Sequence, residues 1–190
     1  MSEVISHLFS RARNINPGAW AVEWERPLST LLGSCVAVCL YDPDVGVAGM
    51  NHFLLPSRCK QLNEPDDIIL AGDAAMANLL NAMLGRGARK SRLIAKMFGG
   101  GTIVSNIRMA IGERNVMFAR EWLAQENIHL AAADVLGNFS RKIVFDPLTG
   151  DAFCRRSVVN QSAALELAKK ESEYAKTLTS RCARPNIELF

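Results

Sequence analysis

Residues 35–56 read Cys35-Val36-Ala37-Val38-Cys39-Leu40-Tyr41-Asp42-Pro43-Asp44-Val45-Gly46-Val47-Ala48-Gly49-Met50-Asn51-His52-Phe53-Leu54-Leu55-Pro56. Cys35 to Tyr41 is apolar with β-branched valines, the pattern of a strand buried on both faces. Asp42 to Gly46 carries turn chemistry: Pro43 presets φ, the aspartates tolerate a left-handed backbone, and Gly46 supplies positive φ without steric penalty. Val47 to Leu55 is a second strand, stopped by Pro56, which has no N–H for a sheet ladder. The stretch is an antiparallel hairpin.

Outward from it, Trp20 to Trp24 reads as an earlier strand and residues 57–65 as a polar loop. Asp73 is placed to cap a helix whose Met76, Leu79, Leu80, Met83 and Leu84 recur at core spacing, ending near Gly85 and Gly87. Leu93 to Phe98 is a strand that empties into Gly99-Gly100-Gly101-Thr102. Ile111 to Asn115 leads into a second helix, with Val116, Phe118, Ala119, Trp122 and Leu123 on its apolar side. Ile128 to Val135, Lys142 to Phe145 and Ala152 to Val159 are further strands, the last two joined by the turn Asp146 to Asp151. From Gln161 to about Leu178 the chain is rich in Ala, Glu, Lys and Leu, as a helix would be. Strands that come in hairpins, not in regular βαβ units, predict an α+β fold. The expected architecture is a mixed, largely antiparallel sheet or sandwich, with two main helices packed outside and a C-terminal helical tail. Residues 1–19 form a lead-in, 20–160 the domain and 161–190 a helical or flexible extension.

The 190 residues are 49% hydrophobic and 22% charged, a soluble globular mix able to bury a core without a disulfide or metal staple. No apolar run reaches the roughly 20 residues that span a bilayer, and Glu3, Ser6 and His7 interrupt any secretory pattern, so a cytoplasmic protein is expected. A net charge of +3 is too balanced to suggest nucleic acid. Cys35, Cys39, Cys59, Cys154 and Cys182 form no CxxC pair, and neither they nor His7, His52 and His129 have zinc-ligand spacing. Four of these cysteines read as small buried hydrophobes. Cys35 is different.

If Asp42 to Val45 form a four-residue loop, Tyr41 pairs with Gly46 and Cys35 falls directly opposite His52. A five-residue loop offsets the two by one position, which a bulge at Gly46 or Gly49 would correct. Directly opposed residues share a face, with Cβ atoms about 4.5–5.5 Å apart. An imidazole beside a thiol can take its proton and turn it into a nucleophile. Gly33-Ser34 before it forms a tight turn whose N–H groups can stabilise a developing oxyanion. The plainer alternative is a pair of buried sheet residues, although a buried imidazole with no partner is costly.

The run Leu28-Ser29-Thr30-Leu31-Leu32-Gly33-Ser34-Cys35-Val36-Ala37-Val38-Cys39-Leu40-Tyr41-Asp42-Pro43, followed by Gly49 to Pro56, resembles the signature of the chemoreceptor glutamine deamidase family, CheD. Gly72-Asp73-Ala74-Ala75-Met76, Phe98-Gly99-Gly100-Gly101 and Ile111-Gly112-Glu113-Arg114-Asn115 agree in collinear order, so the likeness runs from about Trp20 to Val158. It implies Cys35 as nucleophile and His52 as its base. The family's third member is a Thr six positions before the Cys, which here is Ser29. Thr30 is the rival hydroxyl, expected to point to the other face of its strand. The family's Gly-Gly-Asn before a late Arg appears here as Leu136-Gly137-Asn138, ahead of Arg141.

The implied reaction is acyl transfer from a receptor glutamine to Cys35, loss of ammonia, and hydrolysis of the thioester to glutamate, with no cofactor or metal. The implied substrates are methyl-accepting chemotaxis receptors, with a CheC-type phosphatase as a candidate partner and no insertion into the membrane. A binding module for those partners, in which turnover is secondary, is the alternative. A general cysteine peptidase or amidase shares the chemistry but has no resemblance of its own. The Gly99–Thr102 stretch lacks the GK[ST] of a phosphate loop. Its glycines suggest close backbone approach by a receptor helix or partner. Asp73, Glu113 and Arg114 suggest helix-start chemistry.

Overall fold

The structure, a computed structural model, describes residues 3–55, 65–102, 109–158, 166, 169–174 and 176–177. Most of the loop expected at 57–65, together with Cys59 and Cys182, lies outside them.

The elements are α1 (Glu3–Arg11), β1 (Arg13–Asn14), β2 (Trp20–Glu23), β3 (Leu28–Leu32), β4 (Val36–Asp42), β5 (Val47–Asn51), α2 (Pro65–Leu84), β6 (Ile94–Gly99), α3 (Met109–Gln125), β7 (His129–Val135), β8 (Ser140–Phe145) and β9 (Ala152–Ser157). They form two packed sheets, ordered β1-β3-β8-β9 and β2-β5-β4-β6-β7. β1 runs parallel to β3 and β6 to β7; the other pairings are antiparallel. Helices α2 and α3 pack on the outer face of the five-stranded sheet. The α+β sandwich read from the sequence is thus the fold, with α1 as a further short helix.

Alternation along β4 decides which core each residue enters. Val36, Val38 and Leu40 join Met76, Leu79, Met83, Val116 and Leu123 beneath the helices. Cys35, Ala37 and Cys39 face the other way, into the core between the sheets, with Leu28, Leu32, Met50, Ile143 and Phe145. A strand between two apolar layers gains burial on both sides, roughly 1.5–3 kcal/mol for each large side chain.

The hairpin register differs from both readings made from its turn. Asp42 pairs with Val47 and Cys39 with Met50, and the same register extends to a bridge between Val36 and Phe53. The connecting loop is therefore Pro43–Gly46, with Gly46 at φ 63°. Asp42 stays in the strand because its buried carboxylate has work there. It accepts from the Asp44 N–H at 3.0 Å, the Arg89 N–H at 2.8 Å and the Arg92 guanidinium at 2.8 Å. Burial alone would raise this carboxyl, but Arg92 and the two N–H groups outweigh it and hold it below its ordinary range.

Helix α2 also starts earlier than Asp73, which lies inside it and caps nothing. The motif Ile111–Asn115 is likewise inside α3, not ahead of it. Leu136, where the family resemblance implied Gly, holds a left-handed backbone at φ 64°. Its carbonyl accepts from the buried Arg141 guanidinium at 2.5 Å, and its N–H donates to Gly99 at 2.8 Å. These contacts hold the loop in a conformation that disfavours a side chain by about 1–2 kcal/mol.

Candidate active site

The chain leaves the four-stranded sheet at Leu32, turns through Gly33-Ser34 and enters the five-stranded sheet at Val36, so Cys35 sits on a corner between the layers. Every carbonyl of that corner is tied down. Gly33 accepts from the Gly101 N–H at 2.7 Å, Cys35 from the Gly100 N–H at 2.8 Å, and Ser34 from the Asn115 amide at 2.9 Å. Asn115 is fully buried and its Oδ1 takes the Leu55 N–H at 3.0 Å, clamping the corner to the segment that follows His52. Gly99 stands at φ 113°, and a Cβ there would overlap the Cys35 carbonyl oxygen. The close approach anticipated for the triple glycine is thus made by this chain's own corner.

With the carbonyls fixed, the N–H groups of Gly33 and Cys35 converge. Both point to one carboxylate oxygen of Glu171, at 3.1 and 3.3 Å, and the Ser34 hydroxyl donates to its other oxygen at 2.6 Å. An oxygen seated on two main-chain N–H groups beside a thiol is in the position an acyl-transfer site provides for a carbonyl that gains charge.

His52 follows β5 and shares the interlayer face with Cys35. In the observed register it stands opposite Ala37, so thiol and imidazole are diagonal neighbours instead of a direct pair. Diagonal residues lie about 7–8 Å apart, still within reach of long side chains. The shift from direct pairing is two residues, and an even shift preserves the face.

The imidazole has a defined tautomer. Thr30 Oγ1 donates its one proton to the Ile15 carbonyl at 2.6 Å, so toward His52 Nδ1, 2.8 Å away, it can only accept. Nδ1 also faces the Ile15 carbonyl at 3.4 Å, another acceptor. The proton therefore sits on Nδ1. Nε2 keeps its lone pair, and it is buried with no hydrogen-bond partner among the described residues. Burial, only partly opposed by the Ile15 carbonyl, pulls the imidazole pKa from 6.5 down to about 4, so the ring is neutral at neutral pH. Cys35 and His52 are both buried, at 0% and 2% exposure.

The hydroxyl on His52 belongs to Thr30 and not to Ser29. Along β3, Leu28, Thr30 and Leu32 face the interlayer core, whereas Ser29 shares its face with Leu31, which is 43% exposed. Alternation does separate the two hydroxyls, but in the sense opposite to the one the family spacing implies. Asn115 is a site residue that sequence reasoning did not single out, although the block carrying it was part of the resemblance. Glu171 has no local signal at all. The remaining described cysteines are poor nucleophiles: burial raises the Cys39 thiol well above its ordinary range, and burial together with Asp134 pushes Cys154 up to about 12. Trp122 and Phe118 belong to the core beneath the helices, as expected. A separate groove of about 460 Å³, lined by Ile5, Phe9 and residues 152–155, lies away from this chemistry.

Comparison with known proteins agrees with the motif order. A family model described as CheD chemotactic sensory transduction matches residues 54–156, a span that begins just after His52. Longer matches include the corner and hairpin. The chain is 55% identical over 183 residues to "Probable chemoreceptor glutamine deamidase CheD 2" of Dechloromonas aromatica (strain RCB), covering 94% of this chain and 93% of that protein. It is 39% identical to the protein of the same name from Burkholderia thailandensis, covering 95% and 93%. It is 35% identical to "Probable chemoreceptor glutamine deamidase CheD" of Saccharophagus degradans, covering 94% and 84%. Among solved structures, the Bacillus licheniformis hypothetical protein YfiH superposes with a TM-score of 0.42 at 14% identity, over 62% of this chain and about half (51%) of that one.

Proposed function

The chain belongs to the CheD family, and on that premise we propose that it deamidates glutamine side chains of chemotaxis receptors to glutamate, with Cys35 as nucleophile and His52 as base. The observation that carries this reading is His52 Nε2, which is buried with no hydrogen-bond partner among the described residues. A buried imidazole with a fixed tautomer and an unused lone pair, on the face that carries a thiol, is unexplained as packing and fits a proton acceptor.

Because the ring is neutral, the first step is general-base attack. Nε2 takes the Cys35 proton as Sγ adds to the glutamine carbonyl carbon, and the N–H groups of Gly33 and Cys35 stabilise the oxyanion. The imidazolium then protonates the departing ammonia. Water attacks the resulting thioester, with His52 again as base, and glutamate leaves with the thiol restored. Thr30 is a positioning residue that keeps the ring in its reactive tautomer, and Ser29 has no part in this scheme.

The family resemblance implies receptor glutamines carried on cytoplasmic helices, and on that ground we propose a cytoplasmic location. No helix among the described residues is long and apolar enough to cross a membrane. A CheC-type phosphatase is proposed as a second partner from the family resemblance alone. The binding-module reading draws on one observation, the burial of Cys35 and His52, for which the contact with Glu171 gives another account.

The test is mass spectrometry of a receptor cytoplasmic fragment after incubation with the protein. Each converted glutamine gains about one dalton, and both Cys35→Ala and His52→Gln should abolish the gain. Conversion that persists in Cys35→Ala removes the thiol from the mechanism.

A further inference from the structure

Glu171 lies 136 residues beyond Cys35 in sequence, yet its carboxylate fills the space beside it. Residues 169–174 are helical, and within them Glu171 is 2% exposed between the exposed positions 170 and 173. A carboxylate is buried this deeply only when its oxygens are satisfied. Here Oε1 takes the N–H groups of Gly33 and Cys35, and Oε2 takes the Ser34 hydroxyl. One helical turn on, Tyr174 packs against the interlayer core and lies so close to Gly18 that a Cβ there would overlap its ring. Gly18 in turn donates its N–H to the His52 carbonyl at 2.7 Å. The tail helix therefore seats one side chain on the nucleophile's corner and another on the backbone that carries the base.

The occupant's chemistry matters. The reaction proposed above converts a glutamine carried on a helix into a glutamate, and Glu171 is a glutamate carried on a helix. We propose that the corner of Gly33, Ser34 and Cys35 is the subsite for the reacting carboxamide and its carboxylate product, and that Glu171 occupies it as an internal product. A receptor glutamine must displace the tail to react. This inference rests on the deamidase reading and adds regulation to it. It also accounts for a nucleophile and a base that are both shut away from solvent.

The decisive variant is Glu171→Gln, which changes the internal product into an internal substrate. Cys35 Sγ then adds to the carbonyl carbon of the introduced carboxamide, and ammonia leaves with the proton passed through His52. Water hydrolyses the thioester to restore Glu171 and the free thiol. Purified Glu171→Gln should gain about one dalton at that residue, at a rate independent of protein concentration, and the Cys35→Ala, Glu171→Gln double variant should not. Separately, Glu171→Ala and Tyr174→Ala should each speed alkylation of Cys35 by iodoacetamide, and turnover of receptor fragment, by roughly tenfold or more, the equivalent of one charge-assisted hydrogen bond. An introduced carboxamide left intact in a Glu171→Gln protein that deamidates receptor overturns the inference. If no variant deamidates anything, the deamidase reading has failed, and alkylation decides the tail alone. Faster labelling in both alanine variants then supports occupancy, and unchanged labelling refutes it.

Discussion

Burying His52 has a thermodynamic consequence that needs no substrate to measure. The imidazole titrates near 6.5 when solvated and at about 4 in the folded protein. The folded state thus refuses a proton that the unfolded chain accepts between those values. The group contributes no penalty above about pH 7, and the folded state loses stability as pH falls from 6.5 toward 4. At about pH 4.5 the two-state linkage expression gives a loss of roughly 2.5 kcal/mol, with about 1.4 kcal/mol per unit of pKa difference. The perturbation is His52→Gln, which keeps a polar side chain of similar reach but removes the titration. The assay is urea unfolding of both proteins at about pH 7 and about pH 4.5, taking the difference of differences so that carboxylates common to both cancel. The wild type should lose roughly 2.5 kcal/mol more than the variant. Equal losses would mean that His52 is solvated or already charged in the native state, and the neutral-base mechanism would go with it.

Thr30→Val should lower kcat for receptor deamidation about 10–100-fold with little change in KM, because it releases the ring from its tautomer; Thr30→Ser should recover most of the loss, and Ser29→Ala should be nearly silent. Gly99→Ala forces a side chain onto a left-handed backbone against the Cys35 carbonyl, and should destabilise by about 2 kcal/mol or more in urea unfolding. Asp42→Asn acts in a lower pH window than His52. The native carboxyl is held below its ordinary value of 3.8, so its contribution is present above that pH and lost as pH falls through the depressed value; the variant's thermal midpoint should be flatter there and lower at neutral pH.

Much of the candidate site's geometry was legible because it depends on period-two alternation. The hairpin alone places Cys35 and His52 on one face, and they share it, although the register differs by two residues. Composition alone puts Asp42 in the turn. Its strand position depends on Arg89 and Arg92, about fifty residues away, which no local rule can supply. Leu28-Ser29-Thr30-Leu31-Leu32 carries a visible pattern, with Thr30 in phase with two buried leucines, and reading β3 as a strand in its own right would have favoured Thr30 over Ser29. The start of α2 is hidden in the sequence because a plausible cap, Asp73, occurs inside the helix. The Glu171 contact was illegible for a deeper reason. An exposed helix rich in Ala, Glu and Lys looks the same in sequence whether or not one of its carboxylates is buried elsewhere.

The site's distribution over two sheets has a mechanical implication. Thr30 belongs to the four-stranded sheet, His52 extends a strand of the five-stranded sheet, and Cys35 stands on the corner joining them. Neither sheet alone fixes the orientation of the His52 imidazole. The tautomer depends on Thr30 and Ile15, which approach His52 only across the interlayer core. A small slide of one sheet over the other would leave both cores largely buried, yet would break a hydrogen bond of 2.8 Å at once. Activity should therefore be lost before cooperative unfolding when the interlayer packing is loosened. Truncating Ile143, which is fully buried between the sheets and pairs with Thr30 across β3 and β8, is the direct way to impose such loosening where it bears on the imidazole. If Ile143→Ala retained full kcat while losing the roughly 2–5 kcal/mol expected for a core truncation, closure of the sandwich would not be what holds the imidazole in its working state.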